Sequence, residues 1–166
     1  MRNAARTRRR PARQGPPRRG AVAVEFAFLA PVLLVILFGL VEASRLVNLK
    51  NLLSSAAREG ARMAALDRND LVAEGQTTND KITNDVQNYM DAAGLPGDQV
   101  NVEILDADNA DLPFDLDDPE NDLELFLLRV ELPYVAVNPA APPGMSDLIL
   151  SSEVVFRNAR APALVE

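Results

Sequence analysis

GAVAVEFAFLAPVLLVILFGLVEASRL, residues 20–46, decides the architecture. Residues 21–41 carry Glu25 as their only charge, and residues 26–41 are an unbroken run of sixteen uncharged side chains. At about 1.5 Å rise per residue, a helix over 21–41 spans roughly 30 Å, the thickness of a bilayer's hydrocarbon core. A buried core helix is the competing reading. A domain built from what remains of 166 residues has no use for a helix that is apolar on every side. A transmembrane helix over residues 21–44 is therefore predicted. Pro31 lacks an amide hydrogen and crowds the preceding turn, so a kink is expected there, which membrane helices tolerate.

The charge on either side of this run is sharply divided. Residues 1–20 hold eight arginines (2, 6, 8, 9, 10, 13, 18 and 19), three prolines and no acid. With no apolar periodicity, this leader cannot repay its ordering entropy and is expected to be a disordered, basic, cytoplasmic segment. A basic tail also fits nucleic acid. Its position beside the apolar run favours membrane lipid instead, with roughly 1 kcal/mol gained per basic residue at an anionic surface. Only Arg45 and Lys50 lie within the ten residues after the run, so the positive-inside bias keeps the N-terminus cytoplasmic and the C-terminal domain extracytoplasmic. No nucleic-acid partner is expected.

Residues 67–166 are as acidic as the leader is basic, with twenty-one acids against five bases. The chain has no Cys and no His, which excludes disulfides, Cys/His zinc sites, thiol nucleophiles and the Ser-His-Asp triad. Its eight glycines never form a phosphate-binding loop. Neither an enzyme, a cofactor nor a small-molecule substrate is expected. The chemical temptation is residues 106–124, where nine of nineteen side chains are acidic. Calcium prefers clustered carboxylates, but the string from Asp106 to Asp111 lacks the third acid and the turn glycine of an EF-hand. A solvated acidic hairpin loop is the favoured reading, with calcium binding the alternative. Paired acids for glycoside hydrolysis fit worst, since the domain has no sugar-stacking Trp.

No strong helix breaker appears between residues 41 and 66. A helix over 21–66 extends roughly 69 Å, about half of it beyond the bilayer. In that half, residues 45–66, Leu46, Leu49, Leu53, Ala56, Gly60 and Met63 recur at spacings of three and four. Such a stripe packs against another element, either the chain's own sheet or a second helix, with Ala56, Ala57, Gly60, Ala61 and Ala64 allowing close approach, while Arg45, Lys50, Arg58 and Arg62 face water.

Residues 67–166 read as a small α/β domain in an α+β fold. A polar linker over 67–78 precedes a helix capped by Asn79, with Ile82, Val86 and Met90 on one face and Gly94 and Pro96 as stop signals. Val100, Val102 and Ile104 alternate as a strand. Residues 123–132 form another, and its two apolar faces predict a central position. After Pro133, residues 134–137 are expected to resume as an edge strand. Leu148, Leu150, Val154 and Phe156 mark the last one. The sheet is expected to be antiparallel, with three or four strands.

An acid inside an apolar run is a functional hypothesis by default, although at headgroup level it costs little. The local string Arg18-Arg19-Gly20-Ala21-Val22-Ala23-Val24-Glu25-Phe26 resembles a class III signal of type IV prepilins. Joined to the apolar run, Pro31 and the block AAREGARMAAL at residues 56–66, it resembles the TadE family, pseudopilins of the tight-adherence (Flp) pilus. The likeness is strong over about residues 18–66 and weak beyond. It implies a pilin-like fold, cleavage by a prepilin peptidase between Gly20 and Ala21, and an assembly role for Glu25 and Phe26. It also implies other pilin-like subunits and a pilus assembly platform as partners, with a role in adhesion or secretion. Two rivals remain: a signal-anchored binding domain unrelated to pili, and a secreted domain released near Ala43.

Overall fold

A computed structural model describes residues 19–65, 75–141 and 144–159. Residues 1–18 of the leader and most of the expected 67–78 linker lie outside them. The chain divides into two units, Met1–Ala43 and Ser44–Glu166. Helix α1, Arg19–Ala64, contributes to both and contains Pro31.

The second unit has the α+β arrangement read from the sequence. After α1 come α2 (Thr78–Ala92), β1 (Asn101–Asp106), β2 (Leu125–Pro133), the single turn α3 (Tyr134–Val137) and β3 (Ile149–Arg157). The strands form one antiparallel sheet in the order β1-β2-β3. Strand alternation sends Phe126, Leu128, Val130 and Leu132 inward, and all four are fully buried. Burying each such side chain contributes about 1.5–3 kcal/mol. The other face of β2 opens with Leu125 and Leu127, as expected of a central strand. Leu127 lies opposite Leu105 on one side and Val155 on the other, and is only 8 % exposed.

The expected edge strand over 134–137 is instead helix α3. Pro133 fixes the turn, and Tyr134 swings into the core with 1 % of its surface exposed. Its N–H donates to Leu148 O at 2.8 Å and its carbonyl accepts from Asn138 N at 3.0 Å. A buried tyrosine just past the proline gains more from this turn than from extension along an edge, so the sheet stops at three strands.

Helix α2 is where predicted, but Thr77 rather than Asn79 caps it. The Thr77 side chain accepts from Asp80 N, and the Asp80 side chain accepts from Thr77 N, a reciprocal capping box. Ile82, Val86 and Met90 form its buried face. At the far end Gly94 adopts φ +80°, Leu95 N donates to Met90 O, and Gly94 N donates to Asp91 O. This is a Schellman stop, which needs the glycine for its left-handed backbone.

Asn79, freed from capping, fastens the acidic loop. Its amide donates to Phe114 O at 2.8 Å and its carbonyl accepts from Leu116 N at 3.1 Å. Asp117 accepts from Thr78 N at 2.7 Å and from the Thr78 hydroxyl, placing a carboxylate at the positive end of α2. Phe114 and Leu116 are buried, with Phe114 5.9 Å from the Phe126 ring. Asn158, fully buried, donates to Leu116 O and Asn121 O from the opposite side. Thr77→Ala is expected to lower stability by about 1 kcal/mol. Asn79→Ala is expected to cost more, about 1–3 kcal/mol, because it strands backbone groups of the loop. Urea unfolding of the two variants checks the order.

Candidate functional site

The first unit places the processing and assembly residues of the resemblance on the opening turns of α1. Gly20, Glu25 and Phe26 are exposed, Phe26 to 65 %. Ala21 lies in the same helix. The large apolar side chains from Val22 to Val41 are between 52 % and 76 % exposed. Leaving one such side chain in water forgoes about 1.5–3 kcal/mol, and a contiguous apolar surface of this extent marks an interaction site. The helix Val22–Ala64 is long and apolar enough to cross a membrane, and its most apolar stretch is not buried. It fits a single-pass membrane anchor.

In the second unit α1 changes character. Leu49 (6 % exposed), Leu53 and Ala56 are buried, Gly60 is buried, and Leu46 and Met63 are half-buried against the same core. Ala57, Ala61 and Ala64 are buried too, so the packed stripe is wider than the six residues read from spacing. Arg45, Lys50, Arg58 and Arg62 are exposed. The small residues set the approach distance. A Cβ built on Gly60 would lie 2.5 Å from Val86 Cγ2 and 3.0 Å from Leu128 Cδ2, atoms of α2 and β2.

Three acids of 106–124 turn to the backbone of their own loop. Asp106 Oδ1 accepts from Asp108 N and Asn109 N, Asp115 Oδ1 from Asp117 N, and Asp118 Oδ1 from Glu120 N. Among the described residues no three acidic side chains gather where a cation could be held. The acids shape the loop as successive Asx turns, which composition alone did not show.

One ion cluster does assemble, on the outer face of the sheet. The register sets Glu103, Arg129 and Glu153 side by side across β1, β2 and β3. Arg129 Nε donates to Glu153 at 2.7 Å and Nη1 to Glu103 at 3.2 Å. The Glu153 bond, with a smaller share from Glu103, pushes the Arg129 pKa further above its usual value against partial desolvation. The cluster pins three strands together on a solvated face and offers no reacting group.

No curated protein and no solved structure matches the chain. Residues 20–62, about a quarter of the chain and most of α1, match the TadE-like protein family, the family that the leader and helix resemble.

Proposed function

We propose that the protein is a pseudopilin-like structural subunit for assembly of a tight-adherence (Flp) pilus. The observation that carries this reading is the exposed apolar stretch of α1 over residues 21–41, whose single acid is Glu25 and which lies within the segment matched by the TadE-like family. In this reading the arginine leader stays in the cytoplasm and a prepilin peptidase cleaves between Gly20 and Ala21. The Ser44–Glu166 unit lies outside the membrane. Cleavage removes eight positive charges and creates an α-amine at Ala21. A carboxylate in lipid is costly alone, so Glu25 gains by pairing with the new amine of a neighbouring subunit, which favours one register of association. Phe26 flanks the pair. Other pilin-like subunits and the membrane assembly platform are the partners. The role needs no bound cofactor and no reaction beyond the peptidase's own.

Sequencing the mature N-terminus after co-expression with a prepilin peptidase tests the proposal. The expected first residue is Ala21, and Gly20→Asp is expected to abolish that product. A chain still beginning at Met1 or Arg2 indicates a signal-anchored domain, and one beginning at Ser44 indicates a secreted domain. Either result overturns the pilus reading.

A further inference from the structure

The two edges of the sheet are treated differently. The far side of β1 is covered by the acidic loop, with Asp106 N donating to Leu112 O and Phe114 N to Ile104 O. The far side of β3 has no such cover among the described residues. Asn158 N donates to Glu124 O at 2.8 Å, which fixes the polarity of the strand. Even-numbered residues of β3 turn their peptide groups to β2, and odd-numbered ones turn theirs to the open edge. The nine residues ILSSEVVFR contain no proline and no lysine, the usual guards of an exposed edge.

We infer that β3 pairs antiparallel with β3 of a second copy, about a two-fold axis at Val155. Charge and apolar pattern select this register. With Val155 facing its counterpart, Glu153 of each copy faces Arg157 of the other. The outer-face row Leu105, Leu127, Val155 then continues into the same row of the second copy. The row Glu103, Arg129, Glu153 continues into the second copy's Arg157, alternating in sign. Centring on Glu153 overlaps the whole strand but sets two carboxylates face to face, and centring on Val154 sets Glu153 against Val155. Like charges directly opposite one another destabilise a strand pair.

The joined stretch is short and buries far less than the roughly 1,200 Å² of a standard interface. The pair is therefore weak between free molecules and forms where membrane anchoring raises the effective concentration. That last condition rests on the anchor reading, while the register does not.

The chain has no cysteine, so a single introduced thiol reports its neighbour. Full-length Val155→Cys, reconstituted in vesicles and mildly oxidised, is expected to form a disulfide-linked dimer, because facing residues of a hydrogen-bonded pair lie about 5.5 Å apart. Ile149→Cys, 57 % exposed on the same strand, is expected to stay monomeric, since its two thiols would lie roughly 40 Å apart. Adding Arg157→Glu to Val155→Cys is expected to reduce trapping about tenfold through like-charge facing. Vesicle flotation checks insertion separately, so failure of the anchor reading is distinguishable from failure of the pairing. Equal trapping at 149 and 155 overturns the register. A Val155→Cys thiol that labels with maleimide but never cross-links shows an edge left unpaired. One that neither labels nor cross-links shows an edge covered within the chain. Both overturn the inference.

Discussion

Gly60→Val is expected to lower the stability of the Ser44–Glu166 unit by about 3 kcal/mol or more. The first added carbon alone would sit 2.5 Å from Val86 Cγ2, well inside van der Waals contact. Val86 is β-branched and 2 % exposed, so it has no free rotamer to move into. Leu128, on the other side of the new side chain, is fully buried in the central strand. Relief therefore requires α1 to lift from α2 and β2 together. A helix normally gains about 1 kcal/mol from replacing glycine, which offsets part of the strain in Gly60→Ala but little of it in Gly60→Val. Set against the 5–15 kcal/mol typical of whole domains, the valine variant forfeits a large share of the fold. Gly39→Ala is the internal control, because a Cβ there would meet nothing within 4 Å. Thermal unfolding followed by circular dichroism in detergent is expected to show a lowered midpoint for Gly60→Val alone. An unchanged midpoint would mean that α1 does not pack on α2 and the sheet as described.

How far the fold could be read in advance follows from the range of the forces involved. The long apolar run, the α2 face at Ile82, Val86 and Met90 and the alternation in β2 are periodic in the chain, so spacing alone exposes them. The stripe from Leu46 to Met63 was visible for the same reason. The small residues beside it, Ala57, Ala61 and Ala64, were legible too, as places where another element can come close, and packing buries all three. Residues 134–137 look like strand in isolation, and what overrides that is a distant partner, the Leu148 carbonyl waiting for Tyr134 N. Asn79 shows the same limit. Thr77 and Asn79 both suit a cap, and the choice was made by Phe114 and Leu116, thirty-five and thirty-seven residues on, which claim the Asn79 amide. Composition left two readings of the acidic segment, a solvated loop and the less favoured calcium site, since carboxylates that bind their own backbone and carboxylates that bind a cation look alike in a sequence. In the candidate site, Gly20, Ala21 and Glu25 draw notice through their spacing from the leader, and the roles proposed for them rest on that spacing. The partner proposed for Glu25 is another molecule's amine, which a single chain does not contain.

Glu25→Gln is expected to leave membrane insertion intact while reducing recovery in assembled pilus complexes about tenfold or more. The substitution keeps the shape and removes the charge. Glu25 is the only acid in residues 21–41, so losing its charge makes the segment easier to insert, by no more than the roughly 2.5–3.5 kcal/mol assigned to an acid at a helix centre. Assembly moves the other way. In the proposed register the carboxylate offsets the α-amine that cleavage places at Ala21 of the next subunit, and a glutamine leaves that amine unpaired in lipid. Removing one partner of a buried pair costs more than the pair's net worth, and each 1.4 kcal/mol lost is a tenfold change in association. The subunit's own amine competes for the same carboxylate, because Ala21 and Glu25 stand one turn apart on a single helix face. The two pairings separate by experiment. If Glu25 served only its own chain, Glu25→Gln would alter insertion or cleavage and assembled complexes would recover mutant and parent equally. If it joins neighbours, co-expressed parent and mutant would insert and be cleaved alike, yet the parent would be enriched in what is pulled down. A tenfold enrichment is the expected result, and equal recovery removes Glu25 from the assembly mechanism.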